Sequence, residues 1–327
     1  MQAATADQNS STKPPSRPLT DNARFLGAAM LLPAVLYIIL LVGVPFILAI
    51  AFSFTSVTTG NPDLKFVGLD TFKAILSDSQ FLKALINTVI FTVISQILIV
   101  LCANILALAL SQKFPGKRII RFLILLPWAT PVALGALGWW WMVQPQYSPL
   151  TTIGKGLGLF LPNAYIVYLA PNRLFGVQVP GPSGSYFLGL NLTGLFVILV
   201  HVWRMLPMST VIIMAGLTSI DHEIRDAAKV DGANFFQEYW HITLPLLRSI
   251  TAVAMLFSIV FTFTDMAVVR VLTLGNNDTH VLASWAYFKG IEGGNLAEGA
   301  AIAVFLLPLL IAVAVFMLRL ARRVEVH

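Results

Sequence analysis

Long apolar runs alternate with short polar segments along this chain, and six of the runs are long enough to cross a bilayer as helices. A membrane-spanning helix needs about 20 predominantly apolar residues. The predicted spans cover approximately residues 25–54, 84–110, 122–143, 190–217, 249–274 and 299–318. The pattern therefore predicts an all-α, polytopic membrane protein with six transmembrane helices.

The polar segment between the fourth and fifth spans carries helix-start and helix-stop residues of its own. Ser219 is predicted to cap the N-terminus of a short amphipathic helix, since its hydroxyl can accept a hydrogen bond from a free backbone N–H. Gly232 is predicted to end that helix, because glycine adopts the left-handed backbone conformation without steric cost.

A second short helix is predicted to follow this turn. Asn234 and Gln237 have the spacing of a capping box, in which each side chain bonds to the backbone N–H of the other residue. Pro245 is predicted to stop this helix and to begin the fifth span. Residues 219–245 thus predict a helix-turn-helix hairpin that projects from the membrane.

The composition agrees with lipid as the solvent of most of the chain. Hydrophobic residues make up 57% and charged residues 11% of the 327 residues, whereas soluble domains contain about 25% charged residues. The single cysteine, Cys102, excludes a disulfide framework and a cysteine-based metal site. The net charge of +6 does not indicate nucleic-acid binding, because the basic residues cluster at the ends of apolar segments.

Lysine and arginine are unevenly distributed between the two sets of loops. With the N-terminus inside, thirteen of them fall on the cytoplasmic side and six outside, and cytoplasmic loops normally carry this excess. Both termini and the hairpin are therefore predicted to be cytoplasmic. The predicted segments are a disordered tail at 1–22, a first span with an extracytoplasmic part at 23–83, a core at 84–321 and a tail at 322–327.

Ionisable residues interrupt the fourth and fifth predicted spans. They are Arg204, Asp265 and Arg270, with His201 one turn before Arg204 and Thr262 one turn before Asp265. Such residues are costly in a bilayer, so they normally face the bundle interior or a water-filled path. Two interpretations carry equal weight: the residues contact a transported solute, or Arg204 and Asp265 form an ion pair that only fixes helix packing.

Motifs for catalysis are absent from the sequence. There is no P-loop for ATP, no H-E-x-x-H metal motif and no G-x-S-x-G nucleophile elbow. Three hypotheses are weighed: a transport subunit, a membrane-embedded enzyme that lacks a catalytic constellation, and an ion-coupled carrier that has no need for the hairpin. The hairpin itself has an alternative interpretation as an interfacial helix on lipid headgroups.

The spacing of small, acidic and apolar residues in the hairpin resembles the EAA loop of ABC-importer permeases. The residues that carry this resemblance are Asp226, Ala227, Ala228, Gly232, Ile242, Leu244 and Pro245. Asp226 stands where glutamate is usual, and this departure retains the carboxylate.

Three further segments resemble the carbohydrate-uptake branch of that superfamily, and in particular the first permease subunit of maltose-type importers. They are residues 66–69 (Phe-Val-Gly-Leu), 126–128 (Leu-Pro-Trp, after Arg121) and 272–275 (Leu-Thr-Leu-Gly). After the last of these, Asn276 and Asn277 replace the Gly-Pro that is common there. The resemblance covers roughly residues 25–320.

This resemblance implies a binding-protein-dependent importer permease fold and a non-catalytic transport role. The hairpin would be the coupling helix seated in a cleft of a separate ATPase subunit, so this chain needs no cofactor, and the ATPase subunits bind ATP and Mg²⁺. The implied partners are a second homologous permease, two ATPase subunits, membrane lipid and an extracytoplasmic solute-binding protein. That protein would dock on loops 55–83, 144–189 and 275–297, at a bacterial inner membrane.

The resemblance also implies a solute site. By position against its motifs, the maltose-type family places substrate contacts near His201, Arg204, Met205, Met208, Thr262 and Asp265. Sugar recognition needs hydroxyl, amide or carboxylate partners together with an apolar surface for the ring faces. A sugar or sugar-like solute is the expected cargo, and Arg204 keeps a glycerol phosphate or another anionic solute as the alternative.

Overall fold

The computed structural model describes residues 23–143, 149–157, 173–174, 177–178, 186–187, 190–275 and 279–322. The chain divides into two compact units, Met1–Ala49 and Ile50–His327. The first unit contains α1 (Ala23–Ile38), a π-helical turn (Ile39–Gly43) and the start of α2 (Val44–Ser53). These elements form one apolar span, Leu26–Ser53, whose most apolar stretch has no buried residue.

The second unit is helical almost throughout its described residues. Its helices are α3 (Asp70–Ser77), α4 (Ser79–Ser111), α5 (Lys117–Ala129), α6 (Val132–Met142), α7 (Pro149–Gly156), α8 (Leu192–Ser219), α9 (His222–Val230), α10 (Phe235–Glu238), α11 (Leu244–Thr264), α12 (Ala267–Thr273), α13 (Leu282–Tyr287) and α14 (Leu296–Arg322). Two π-helical turns, Tyr239–Thr243 and Phe288–Glu292, extend α10 and α13. Two antiparallel pairs of two-residue strands precede α8: β1 (Arg173–Leu174) with β2 (Val177–Gln178), and β3 (Tyr186–Phe187) with β4 (Leu190–Asn191).

The described part of the chain has five helical stretches that are apolar and long enough to cross a membrane, and the pair α5–α6 makes a sixth when it counts as one span. The five are Leu26–Ser53, Ser79–Ser111, Gly194–Ser219, Phe235–Thr264 and Leu296–Arg319. The all-α membrane fold is confirmed, and the count of six spans agrees when the bent pair is included.

The third predicted span, residues 122–143, is not one straight helix. α5 and α6 are bent by 96° at the break between Ala129 and Val132. Thr130 has an extended backbone (φ −71°, ψ 134°), because a residue that precedes proline is sterically disfavoured in the helical region. Pro131 therefore ends the first half at a point where the apolar pattern continues.

The prediction of an uninterrupted fifth span over residues 249–274 is wrong. α11 ends at Thr264, Asp265 is extended (φ −76°, ψ 96°), and α12 begins at Ala267. The carboxylate of Asp265 accepts a hydrogen bond from the Val268 N–H at 3.0 Å, so it satisfies a free donor at the start of α12. A charge that the sequence places inside a helix lies instead at a helix break.

Three clusters of buried apolar side chains hold the helices of the second unit together. The middle cluster packs α4, α8 and α12 and contains Phe91, Ile99, Ile198, Met205, Val268 and Leu272. A second cluster joins the last turns of α4 and α8 to the start of α11 and contains Ala107, Ile213, Leu217, Ile220 and Leu247. A third packs α3, α13 and α14 against the first turns of α4 and contains Ile75, Phe81, Leu282, Trp285 and Ile302. The α8–α11 connection and α13 therefore lie at opposite ends of α4.

A charged clamp fixes the α13 end of the bundle. Lys289 Nζ lies 3.2 Å from Asp78 Oδ2 and 3.2 Å from Glu298 Oε2, and so joins the π-helical turn to the starts of α4 and α14. Burial by itself lowers the pKa of Lys289, but hydrogen bonds to Glu298 and Asp78 hold that pKa above its ordinary value. Lys289 therefore stays protonated at neutral pH.

Candidate functional site: a polar cluster at two helix breaks, and a helical hairpin

A buried cluster of charged side chains joins α8 to the break between α11 and α12. Asp265 Oδ2 lies 2.8 Å from His201 Nδ1 and 3.3 Å from Arg204 Nη1. With Asp265 ionised, this contact requires a proton on His201 Nδ1, because a carboxylate can only accept. The exposed fractions of the side chains are 0% for His201, 14% for Arg204 and 4% for Asp265. The ion pair considered from the sequence is thus present and shielded from solvent.

Neutral polar side chains extend this cluster into α4. His201 Nε2 lies 2.9 Å from Thr262 Oγ1, and the Gln96 amide donates to the same hydroxyl at 3.3 Å. Ser258 donates to the Gln96 carbonyl oxygen at 2.5 Å. The result is a continuous hydrogen-bonded network across α4, α8 and α11. In a low dielectric, such a network is stable only when its members are well satisfied.

A cavity of about 200 Å³ lies beside the ion pair, where the two helix breaks meet. Its lining residues are Val132, Arg204, Phe261, Thr264, Asp265, Met266 and Ala267. The guanidinium carbon of Arg204 also lies 5.9 Å from the ring centroid of Trp128, within cation–π range. The cavity therefore presents charged and hydroxyl groups together with an aromatic side chain.

The six residues that the sequence predicts to contact the solute occupy different positions relative to this cavity. Arg204 and Asp265, the ion pair, line it. Three others are almost fully buried, namely His201, Met205 and Thr262. Met208 is half-buried and is not among the lining residues. His201 and Thr262 hold the charged pair in place, whereas Met205 belongs to the middle apolar cluster.

Sequence reasoning missed three of the five residues that complete the lining. Val132 begins α6, and Met266 and Ala267 lie at the start of α12, so all three owe their positions to the helix breaks. The available signals are Pro131 and the charge of Asp265, because a proline and a carboxylate are both unfavourable inside a membrane helix.

A larger groove of about 620 Å³ runs along α4, α11 and α14, and its surface is apolar. The polar side chains in its lining are Thr92 and Gln96, and Gln96 is already bonded to Ser258 and Thr262. A groove with so few free hydrogen-bonding groups is poorly suited to a polar solute. The smaller cavity is the better candidate.

The predicted hairpin is present between α8 and α11, with α9 as its first helix. The N-cap is Asp221, whose carboxylate accepts from the Glu223 N–H at 3.1 Å. The prediction of Ser219 as the N-cap is wrong. The Ser219 hydroxyl donates to the Gly216 carbonyl of its own helix at 2.8 Å, and so it closes α8 instead.

The turn and the second helix of the hairpin follow the predicted pattern. Gly232 has φ +82°, in the left-handed region that glycine adopts at low cost. The Asn234 side chain accepts from the Gln237 N–H at 2.9 Å, and the Gln237 side chain accepts from the Asn234 N–H at 2.8 Å. The glycine turn and the capping box are confirmed.

The predicted block at Pro245 is wrong. The π-helical turn Tyr239–Thr243 leads from α10 directly into α11, so that Phe235–Thr264 is one helical span. Pro245 lies in the first turn of α11, where its missing N–H has little cost. The second half of the hairpin is therefore continuous with the fifth span.

An ion pair that the sequence pattern did not indicate joins the two halves of the hairpin. Arg225 Nε on α9 donates to Glu238 Oε1 on α10 at 2.7 Å. The side chains are 20% and 10% exposed, so water screens this pair less than a surface pair. The two residues meet only because the turn at Gly232 brings α10 back towards α9.

The motif residues of the hairpin divide between its surface and its base. Asp226 and Ala227 are exposed, whereas Ala228 is buried. Asp226 bonds to Lys229 at 3.1 Å, and both side chains are more than half exposed. The remaining residues, at the start of the fifth span, are half-buried: Ile242, Leu244 and Pro245.

Large apolar side chains are exposed on the hairpin around these motif residues. We call this set the hairpin surface, and it comprises Ile224, Val230, Phe235, Phe236 and Trp240. Exposed apolar groups of this extent mark an interface with a protein or with lipid.

Most of the chain matches the model of one protein family. Residues 99–326 match the family described as "Binding-protein-dependent transport system inner membrane component". The trehalose/maltose transport system permease protein MalF of Thermococcus litoralis is 27% identical over 299 residues, which are 91% of this chain and 94% of that protein. The sn-glycerol-3-phosphate transport system permease protein UgpA of Agrobacterium fabrum is 28% identical over 80% of this chain and 82% of that protein.

A solved structure shares the fold. It is the crystal structure of a bacterial alginate ABC transporter in complex with an alginate pentasaccharide-bound periplasmic protein. One of its chains is similar to this one with a TM-score of 0.75 and 18% identity, covering 94% of this chain and 98% of that chain. The named relatives are permease subunits, which are non-catalytic transport components, so the resemblance and the non-enzymatic role inferred from the sequence are confirmed. The chain belongs to the family of binding-protein-dependent inner-membrane transport components, the permease subunits of ABC importers.

Proposed function

We propose that this permease translocates a neutral sugar or sugar-like solute past the cavity beside Arg204 and Asp265. The observation that carries the proposal is the pairing of these side chains, 3.3 Å apart, in the cavity lining. Their charges cancel, so the cavity favours a solute without net charge. The polar groups suit sugar hydroxyls, and the aromatic ring of Phe261 suits the apolar face of a sugar ring.

Glycerol phosphate is the second candidate. One similar permease is named for sn-glycerol-3-phosphate. The Nε of Arg204 is buried and has no hydrogen-bond partner among the residues that the structure describes. A phosphate would have to compete with Asp265 for the guanidinium. Because Asp265 is also held by His201 and by the Val268 N–H, the neutral solute remains the better fit.

The hairpin couples the spans to a separate ATPase subunit that binds ATP and Mg²⁺. Support comes from its stiffness, since caps, a glycine turn and the Arg225–Glu238 pair fix both short helices. The continuous helix Phe235–Thr264 runs about 45 Å from the hairpin to the residue before Asp265. A displacement of the hairpin is thereby transmitted directly to the cavity.

An ATPase explains the hairpin surface better than lipid headgroups do. Acidic side chains, Glu223 and Asp226, are exposed beside the apolar ones. A carboxylate is unfavourable next to an anionic leaflet, whereas it can pair with a cationic group on a protein. The motif residue Ala227 is small and exposed, which allows close approach of a partner's backbone.

The proposed assembly contains more than one permease chain. The cavity is smaller than the ~300–1,000 Å³ of typical ligand sites, and a second, homologous permease supplies the rest of the wall. Two ATPase subunits bind at the hairpin end, and a solute-binding protein docks at the opposite end. Both termini are cytoplasmic in this arrangement, as the thirteen-to-six distribution of basic residues supports.

The test is to purify the complex that forms around this chain and to reconstitute it in vesicles. We expect an ATPase subunit to co-purify, and uptake of a neutral sugar to need both ATP and a soluble binding protein. Uptake that is driven by an ion gradient without ATP would contradict the proposed coupling.

The cargo class is tested separately in the same vesicles by competition. Neutral sugars are expected to compete with the transported solute, and sn-glycerol 3-phosphate is not. Competition by the phosphate ester alone would replace the sugar by an anionic solute and leave the coupling proposal standing.

A further inference from the structure

Among the residues that the structure describes, four basic residues at the junction of α4 and α5 have no acidic partner. They are Lys113, Lys117, Arg118 and Arg121, and the sequence contains no aspartate or glutamate between Asp78 and Asp221. Across the described residues, none of the four takes part in an ion pair. This basic junction, residues 113–121, therefore carries four uncompensated positive charges.

Two of these cations are fixed by the end of α4. Lys117 Nζ donates to the Ser111 carbonyl at 2.9 Å, and Arg121 Nη2 donates to the Leu110 carbonyl at 3.0 Å. Free carbonyl groups at a helix C-terminus attract cations. The Nε of Arg121 is buried and has no hydrogen-bond partner within the described parts of the chain. The junction is thus held in place and still has an unused donor.

The fixed geometry brings like charges together. Lys117 is repelled by Arg121 and Lys113, and Lys113 and Arg118 are exposed. Gly116, the N-cap of α5, supplies no side-chain cap, so the first N–H groups of α5 add positive potential. A single anionic group placed here reduces both the repulsion between the cations and the positive potential at the start of α5.

Exposed apolar side chains lie in the same turns of α5. Ile119, Phe122 and Leu123 are 66%, 63% and 52% exposed, and α5 is the first half of the bent membrane span. Side chains of this kind lie in hydrocarbon, so cations one turn away lie at the level of the headgroups. A single anionic phospholipid accounts for both features, because its headgroup suits the cations and its acyl chains suit the adjacent apolar side chains.

We propose that the basic junction binds the phosphate of an anionic phospholipid, with its acyl chains along the exposed side chains of α5. The last turns of α4 pack against those of α8 and the start of α11, so this lipid lies at the hairpin end of the bundle. It anchors the base from which the hairpin projects. The site is separate from the solute cavity and does not depend on the cargo.

Native mass spectrometry of the full chain, purified in detergent and exchanged with phosphatidylglycerol or phosphatidylcholine, tests this site. The test variant is Lys113→Gln/Arg118→Gln, because these exposed side chains do not support α4. The charge-matched control is Lys65→Gln/Lys73→Gln, near the opposite end of the bundle. Each surface cation contributes about fivefold to affinity for an anionic headgroup. Because the test variant removes two such cations, we expect it to lose about 25-fold in phosphatidylglycerol affinity, and the control to lose little.

Three results would overturn the proposal. The first is equal retention of the two lipids by the unaltered chain, or full phosphatidylglycerol retention by the test variant. The second is displacement of the lipid by inorganic phosphate or sn-glycerol 3-phosphate, which would identify a soluble anion as the ligand. The third is loss of a co-purifying ATPase subunit from the test variant with unchanged lipid retention, which would assign the junction to a protein partner.

Discussion

The polar cluster at the cavity and the hairpin satisfy their charged groups in opposite ways. At the cavity, the Asp265 carboxylate is bonded to His201, Arg204 and a backbone N–H, and little of it is exposed. In the hairpin, Asp226 and Lys229 pair at the surface, and of the described hairpin ion pairs only Arg225–Glu238 is shielded. Buried charges need partners to persist, whereas exposed ones are satisfied by water.

Because of this difference, substitutions have different consequences in the two regions. A change in the cluster leaves a buried group without its partner, so it lowers the stability of the bundle as well as altering the cavity. A change in the hairpin leaves the bundle intact and alters the element that transmits motion. The continuous helix Phe235–Thr264 links the two regions. Substitutions in either region are therefore expected to reduce transport.

The largest effect is expected from Gly232→Asp. A side chain at φ +82° is strained by about 1–2 kcal/mol, and a carboxylate is added beside Asp231 in the hairpin turn. ATP-driven uptake should be abolished while the spans stay inserted, because a Cβ at Gly232 meets no atom within 4 Å. Vesicle uptake together with protease-protection mapping measures both outcomes.

Gly60→Asp is the matched control for that change. Gly60 also has open space around its Cβ position and lacks the left-handed conformation, so this variant should transport normally. Uptake at the unaltered rate by Gly232→Asp would show that the hairpin turn does not carry the coupling.

Asp265→Ala is expected to have the next largest effect. It leaves Arg204 and His201 without their anion in a shielded site, which should lower the free energy of unfolding by about 3–5 kcal/mol. Uptake should fall strongly, because the variant also removes a charged group from the cavity lining. Thermal unfolding and vesicle uptake are the measurements.

Asp265→Asn distinguishes the role of this side chain in capping α12 from its role in the ion pair. Its amide oxygen can still accept from the Val268 N–H, so α12 keeps its cap while the ion pair is lost. Unchanged uptake and an unchanged solute range in both variants would leave Asp265 with a packing role only.

Arg225→Met should have an intermediate effect that is confined to coupling. The variant keeps an apolar stem but leaves Glu238 shielded and unpaired, which loosens α9 against α10. We expect solute transported per ATP hydrolysed to fall several-fold, with little change in the unfolding temperature of the spans. Parallel uptake and ATPase assays give this ratio.

The double variant Arg225→Met/Glu238→Gln serves as the companion measurement. Removing both charges avoids an unpaired buried carboxylate, so part of the coupling should return. If the single variant keeps the full transport-to-hydrolysis ratio, the ion pair has no role in transmission.

Thr262→Val should produce the smallest change. The substitution keeps the shape but removes the hydroxyl that lies within bonding distance of His201 and Gln96, which costs about 1–3 kcal/mol of stability. Uptake should fall less than in Asp265→Ala, because the ion pair survives and Thr262 does not line the cavity. Thr218→Val, which loses only a bond to its own helix, is the control. Equal unfolding temperatures for the two variants would argue against a continuous network.

Much of the hairpin can be predicted from the sequence because its signals are local. The capping box at Asn234 and Gln237 and the turn at Gly232 involve residues within a few positions of one another. The Ser219 prediction failed within the same segment. A serine hydroxyl bonds equally well to a carbonyl of the preceding turn, and Asp221 two residues later is an alternative cap.

The cavity could be predicted only in part. Arg204 and Asp265 stand out as charges in apolar runs, but the partners that surround them come from α4 and from the helix breaks. The distance between Gln96 and Thr262 along the chain is 166 residues. No local pattern reports a contact of that kind.

The sequence by itself determined the number of spans, the place and shape of the hairpin and the family motif, because apolar length, helix caps and turn residues act over short distances. The tertiary structure alone decided that His201 and Thr262 stand behind the ion pair and that Arg225 meets Glu238. Those features depend on which helices pack together, and a buried polar group finds its partner wherever the fold brings one.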